Sequence, residues 1–394
     1  MDDVVILSAV RTPIGTFQGA LSGLPAHALG ARALTAAIER AGVTPEEVQQ
    51  VNMGCVLTAG QGQAPARQAA IGAGCPVATG ALTLNKVCGS GMRAVMIAAN
   101  DLRCGDFKLV AAGGMESMSQ APFLAAGVRD GLRLGHGKLI DSMIHDGLWD
   151  PYGDVHMGSC AEVCATEYKF SREEQDAYTL ESYRRAREAA ETGLFAEEVV
   201  PVPVPQKKGD PAPVDRDEEP FKADLSRMAS LRPAFQKDGG TVTAANSSKI
   251  NDGAAALVLT TAGHAARLGA KPLARIVAHA SLAQEPQRFT TAPAGAVRIV
   301  LERAGLKAAD LDLWEVNEAF AVVALAFLRD LGLSPDRVNV RGGAVALGHP
   351  IGASGARILV TLIHALRERG QRLGCAAICI GGGEATAMIV ERVD

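Results

Sequence analysis

The sequence predicts an α/β protein made of two copies of one unit, with a more exposed segment lying between them. Three observations carry this. First, Ile38-Glu39-Arg40-Ala41-Gly42-Val43 recurs as Leu301-Glu302-Arg303-Ala304-Gly305-Leu306, an offset of 263 residues. Gly89-Ser90-Gly91-Met92-Arg93 recurs as Ala353-Ser354-Gly355-Ala356-Arg357 at an offset of 264, and Gly113-Gly114-Met115-Glu116 is echoed by residues 381–384. Matches in one order at nearly one spacing mark an internal duplication. Second, short apolar runs bounded by turn residues alternate with helix-periodic stretches. Third, residues 120–248 have no counterpart in the repeat.

In the first copy, residues 4–7 and 109–112 are apolar runs that read as buried strands. Between them Met92, Val95, Met96 and Ala99 fall at helical spacing, and Gly105 stands where a left-handed glycine ends a helix. In the second copy Leu359, Leu362, Ile363 and Leu366 repeat the helical spacing. Arg367, Arg369 and Gly370 follow, cations near the negative helix end and then a stop. Residues 376–380 form the next strand. This alternation implies mostly parallel, buried sheets. In the intervening segment, Ser171 and Glu174 are spaced as a capping box opening a polar helix over 171–192. Pro201-Val202-Pro203-Val204-Pro205 excludes a central strand, and the acidic run 215–219 faces solvent.

Composition narrows the function. The 394 residues are 48% apolar and 21% charged, which excludes disorder and fibres. A net charge of −4 argues against a coat for nucleic acid or anionic lipid. The longest apolar run, 319–328, is ten residues, too short to span a bilayer. Residues 1–15 carry no basic stretch ahead of their apolar run, unlike a secretory signal. Eight cysteines in so long a chain fit reduced thiols in the cytoplasm better than a disulfide scaffold. A cytoplasmic enzyme with small-molecule substrates, and neither nucleic acid nor membrane as partner, is the expectation.

The repeat also points to chemistry. Cys88 precedes the first repeated helix, where unpaired N–H groups and the positive dipole end favour a thiolate. It reads as a nucleophile or as a core cysteine. His349 occupies the matching place in the second copy, before Pro350, and a Cys–His pair is a recurrent route to a thiolate. Cys379 ends a strand before Gly381, Gly382 and Gly383, so it reads as a base beside an oxyanion hole or as a core thiol. Asn317 would hold a water or cap a helix. Gly89-x-Gly-x-x-Ala94 with Glu116 beyond it is only a loose dinucleotide fingerprint. Cys160 and Cys164, like Cys375 and Cys379, lack a histidine set for zinc. Cys55, Cys75 and Cys104 read as packing residues.

Taken together, Asn85-Lys86-Val87-Cys88-Gly89-Ser90-Gly91-Met92, Asn317-Glu318-Ala319-Phe320, Gly348-His349-Pro350 and Cys379-Ile380-Gly381-Gly382-Gly383 resemble the thiolase family. The likeness spans essentially the whole chain, including residues 113–119, 156–159 and 241–253. It implies a duplicated five-layered αβαβα core with an inserted loop domain: an N-terminal half over 1–119 plus 249–270, a loop domain over 120–248, and a C-terminal half over 271–394. It implies reversible Claisen condensation of two acetyl-CoA to acetoacetyl-CoA plus coenzyme A through an acetyl-Cys88 intermediate. Cleavage of longer 3-oxoacyl-CoA is the alternative within the family.

By resemblance, Cys88 is the acylated nucleophile, His349 its base, and Cys379 the acid/base at the second substrate's α-carbon. One oxyanion hole is formed by the N–H groups of Cys88 and Gly381, the other by His349 with a water on Asn317. Coenzyme A is a substrate rather than a bound cofactor. Its contacts map to Tyr183, Lys222, Ala223, Asp224, Arg227 and Ser248, with His156 and Met157 near the pantetheine. A potassium-activated branch implies a cation among Tyr183 and the carbonyls of Ala244, Ala245, Ser247 and Val345. The family also implies a homotetramer, a dimer of tight dimers joined through the core halves. Glu384-Ala385 departs from the small residues usual after the glycines, and the role of that turn follows from no motif.

Overall fold

Strands β1 (Val4–Arg11), β2 (Gln50–Gly54), β3 (Gly80–Leu84), β4 (Leu109–Ser117) and β5 (Asn251–Thr261) belong to the first copy. Strands β6 (Ala274–Ala283), β7 (Leu313–Val316), β8 (Leu373–Ile380) and β9 (Glu384–Arg392) belong to the second. The computed structural model describes residues 2–393. It joins these strands in the order β7-β8-β9-β6-β1-β5-β4-β2-β3. The order is palindromic under the duplication: β2, β4, β5 and β1 match β7, β8, β9 and β6. The two half-sheets meet at β1 and β6, where only Val5↔Arg275 and Ile6↔Ala274 pair.

The sheet is mixed rather than mostly parallel. β2 runs parallel to β3 and β4, and β7 parallel to β8, but β5 and β9 return antiparallel beside β4 and β8. The last strand of each copy closes as a return strand and not as a helical crossover, so the expectation from alternation fails at that step.

Helices fill the layers. α1 (Ala26–Ala41) and α2 (Pro65–Gly72) pack with the outer face of the first half-sheet. α3 (Ser90–Cys104) and α8 (Ile351–Glu368) share one core with residues from both half-sheets and so form the central layer. Between α3 and α8 in the chain come α4 (Met157–Tyr168), α5 (Arg172–Glu191), α6 (Ala292–Ala304) and α7 (Ala321–Leu331). α6 and α7 cover the far face of the second half-sheet. The five layers are therefore helix, sheet, helix pair, sheet, helix. Gly105 ends α3 at φ 82°, as its spacing indicates.

Residues 118–250 leave the sheet between β4 and β5. They include α4 and α5, the latter opened by the expected Ser171–Glu174 capping box. Val202–Val204 pairs with Ala212–Val214 in an isolated hairpin, with Pro203 opposite Pro213, a place where missing N–H donors are tolerated. Cys55 and Cys75 are buried, whereas Cys104 is exposed at the end of α3 and is not a packing residue. Among the described residues no helix is long and apolar enough to cross a membrane.

Candidate active site

The duplicated helices cross at their glycines. A Cβ on Gly91 would lie 2.8 Å from the Ala356 nitrogen, and one on Gly355 would lie 2.5 Å from the Met92 nitrogen. Only backbone fits there, so the two N-termini converge and bring the segments before them, with Cys88 and His349, to one cavity.

Cys88 sits two residues ahead of α3 on a strained turn. Val87, β-branched, has φ +43°. Ser90 holds the turn by accepting from Lys86 N at 2.8 Å and donating to Val87 O at 2.6 Å. Asn85 Oδ1 accepts from Val87 N at 2.9 Å. Burial pushes the Cys88 thiol up to about 11, although the N–H groups of Gly381 and Cys88 itself pull it down. The expectation of a lowered thiol at the helix mouth is thus corrected, because desolvation outweighs the two amides that favour the thiolate. At rest this residue is a thiol and not a thiolate.

His349 supplies a lone pair. Its backbone N–H donates to Asn251 Oδ1 at 2.9 Å, which fixes the loop before α8. Nδ1 lies 2.6 Å from Ser354 Oγ, and that hydroxyl donates its single hydrogen to Pro350 O at 3.0 Å. With the Ser354 hydrogen on Pro350 O, Nδ1 carries the ring hydrogen and Nε2 is bare. Among the described residues Nε2 has no partner, and His349 lines the cavity. Burial, with help from Arg357, pulls the imidazole down to about 3, so it is neutral at working pH.

Two glutamates brace the helix mouths across the pseudo-dyad. Glu116, at the end of β4, accepts from Val56 N, Leu57 N and Gly352 N at 3.0, 3.1 and 2.8 Å. It reaches from the first copy to the helix after His349. Its counterpart in the repeat, Glu384, reaches from the second copy to Lys86, two residues before Cys88. The Glu384 departure is therefore half of a cross-brace. Glu116 is no nucleotide ligand, since it is fully buried against these amides.

The cavity of about 510 Å³ is lined by Cys88, His349, Gly381, His156, Met157, Lys222, Ala244, Ser247 and Ser248 from the expected set. Phe235, Phe289 and Phe320 make much of its wall apolar. Phe235 stacks on His156 with ring centroids 4.8 Å apart, a contact no motif announces. Cys379 and Asn317 do not line the cavity and are fully buried. Cys379 is in β8 opposite Ala385. Burial raises its thiol well above the ordinary range, and nearby Cys88 adds to this. Among the described residues both amide atoms of Asn317 lack a partner, the state of a side chain able to hold a water.

Tyr183, Ala223, Asp224 and Arg227 do not line the cavity. Tyr183 packs in a small core with Ala346 and Leu347, with Ala223 against it. Asp224 accepts from Ser226 N at 3.1 Å, and Arg227 is exposed on the same turn. Lys222 Nζ donates to Thr16 Oγ1 at 2.7 Å. Glu318 ties α5 to the core by accepting from Tyr178 Oη at 2.7 Å, Ser182 Oγ at 2.8 Å and Val345 N at 3.2 Å.

The residues expected around potassium do not fit an added ion. Lys249 Nζ donates to Ala245 O at 3.0 Å, Ser247 O at 2.6 Å and Val345 O at 3.3 Å, and stands 5.9 Å from the Tyr183 ring centroid. An ammonium already takes three of the four expected carbonyls. Lys249 stands in no local motif, so its place in the carbonyl cradle is announced by no sequence pattern.

The N-terminal thiolase domain model matches residues 4–263, and the C-terminal thiolase domain model matches residues 270–392. The chain belongs to the thiolase family. This thiolase is 53% identical to the acetyl-CoA acetyltransferase of Cupriavidus necator and 51% identical to that of Pseudomonas aeruginosa, each over 100% of both chains. It is 53% identical to the mitochondrial acetyl-CoA acetyltransferase A of Xenopus laevis, covering 93% of that protein. The crystal structure of Acat5 thiolase from Ascaris suum in complex with coenzyme A superposes with a TM-score of 0.95 at 46% identity, over 99% of this thiolase and 100% of that chain.

Proposed function

We propose that this thiolase is an acetyl-CoA C-acetyltransferase, interconverting two acetyl-CoA with acetoacetyl-CoA and coenzyme A. The observation that carries the reading is the bare Nε2 of neutral His349 on the same cavity wall as the Cys88 thiol. The relatives named acetyl-CoA acetyltransferase over the full chain support the substrate class.

The resting protonation states suit the thiolysis direction. His349 takes the Cys88 proton as the sulfur attacks the 3-keto carbon of acetoacetyl-CoA. The carbonyl oxygen becomes an oxyanion and then re-forms as the C2–C3 bond breaks, leaving its electron pair on the acetyl-CoA enolate. Cys379, a protonated thiol, gives its proton to C2, and acetyl-CoA departs. Coenzyme A thiol returns a proton to Cys379 and attacks the acetyl group on Cys88. The expelled Cys88 sulfur recovers the proton held by His349. Condensation is the reverse sequence. In this reading the amides of Cys88 and Gly381 receive one oxyanion, and His349 with a water on Asn317 receives the enolate oxygen.

We assign coenzyme A to the segment 120–248, where Lys222 and Ser248 line the cavity, with Tyr183, Ala223, Asp224 and Arg227 as further contacts and His156 and Met157 along the pantetheine. This segment and the flanking halves, 1–119 with 249–270 and 271–394, are the proposed domains. The protein is proposed to act in the cytoplasm as a homotetramer. Support for assembly comes from Phe123, Leu132, Leu134 and Leu139, exposed apolar side chains close together in sequence on one excursion of the chain. Potassium is not part of the proposal, because Lys249 already holds the carbonyls expected to bind it. The test is turnover of acetoacetyl-CoA with coenzyme A. Two acetyl-CoA should form per cycle. A folded protein with no such turnover, or one that prefers long 3-oxoacyl chains, would overturn the assignment.

A further inference from the structure

We infer that Lys249 is a built-in monovalent cation: its ammonium organises the substrate-side loop in place of potassium, and the protein works without that ion. The geometry is a cradle of oxygens. Three carbonyls, those of Ala245, Ser247 and Val345, face Nζ at 3.0, 2.6 and 3.3 Å. Three acceptors require three N–H donors, which an ammonium has and a neutral amine lacks. Burial pulls the Lys249 ammonium down to about 8, and the charges of Glu219 and Glu318 oppose that fall, so the group is charged at neutral pH. The Tyr183 ring adds a weak cation–π face at 5.9 Å.

The cradle joins two parts of the site. Ala244, Ser247, Ser248 and Lys249 itself line the cavity. Val345 belongs to the short helix Ala344–Leu347, which runs directly into Gly348 and His349. One ammonium thus fastens the cavity wall to the segment that delivers the base. A free cation at the same oxygens would do this only at the cost of being captured from solution. A tethered one needs no capture and is charged at neutral pH, its charge being lost only as pH rises past about 8. Lys249 is in this sense a positioning residue, since it touches backbone oxygens and no reacting atom.

The functional readout rests on the thiolase reading, but the melting temperature does not, so the two can fail separately. Wild-type protein is compared in choline, sodium and potassium chloride at equal ionic strength. Its KM for coenzyme A, its kcat and its melting temperature should agree in all three salts. Lys249→Ala opens the cradle: in choline its KM for coenzyme A should rise roughly tenfold and its melting temperature fall. Potassium should reverse both changes in Lys249→Ala more fully than sodium does. Lys249→Met, which keeps the stem in the cradle without the charge, should lose affinity and not be rescued. Potassium stimulation of the wild type would overturn the inference, whatever the variants do. So would a folded Lys249→Ala protein with unchanged kinetics, or one impaired equally in every salt. Were the protein inactive as a thiolase, potassium-specific restoration of the Lys249→Ala melting temperature would still support the cradle.

Discussion

Gly91 and Gly355, equivalent residues of the two sequence copies, lie against each other's helices where α3 and α8 cross, with backbone atoms where any Cβ would have to sit. The crossing is what converts a sequence repeat into a reaction centre, since Cys88 and His349 precede the two helices. Replacing Gly355 with Ala should destabilise the fold by roughly 1–3 kcal/mol through overpacking and should also separate thiol from base. Urea denaturation together with turnover checks this. An unchanged midpoint would mean that the helices can part without cost.

The two cysteines are separable by step. Cys88→Ala should abolish both covalent labelling by radioactive acetyl-CoA and all turnover. Cys379→Ala should still acquire the acetyl label on Cys88 but lose condensation and exchange of the acetyl methyl hydrogens with solvent. Peptide mass spectrometry that finds the label on another cysteine would refute the assignment. So would a folded Cys379→Ala protein that cannot be acetylated.

The resting Cys88 thiol, pushed up to about 11, predicts a pH profile for alkylation. A raised thiol pKa means that the thiolate fraction is small at neutral pH and grows about tenfold per pH unit until it nears that value. Iodoacetamide labelling of Cys88 should therefore keep accelerating through pH 9. A plateau near pH 7 would indicate an ion pair with His349 instead of a neutral thiol and a neutral imidazole.

Ser354 sets the tautomer of His349 from 2.6 Å. Ser354→Ala removes the acceptor for Nδ1–H and frees the ring to present the wrong nitrogen. The expected result is a fall in kcat of roughly 10–100-fold with little change in the KM for coenzyme A. A change confined to KM would show that the contact serves binding alone.

Glu116 binds three amides, one of them at the helix after His349. Replacing it with Ala leaves those buried donors unpaired and should cost roughly 3 kcal/mol or more, with lost activity. Thermal denaturation reads the cost directly. A neutral effect would mean that water enters to satisfy the amides.

The duplication, the two α/β copies and the placing of Cys88 and His349 ahead of the two repeated helices were legible in the sequence because each depends on local pattern. Gly91 and Gly355 repeat at one offset, Cys88 precedes a helical run, and His349 precedes a proline. The Ser171–Glu174 capping box was legible for the same reason: a cap involves residues three apart. What only the tertiary structure decided are the energies and contacts that arise between distant segments. Alternation suggested parallel sheets, yet β5 and β9 return antiparallel, since strand direction depends on how a chain re-enters the sheet. The helix dipole suggested a lowered Cys88 thiol, yet burial in the packed chain raises it. Glu384 gained its meaning from Lys86, 298 residues away, and Lys249 from carbonyls up to 96 residues distant. Desolvation and long-range pairing are properties of the packed chain, so no window of sequence contains them.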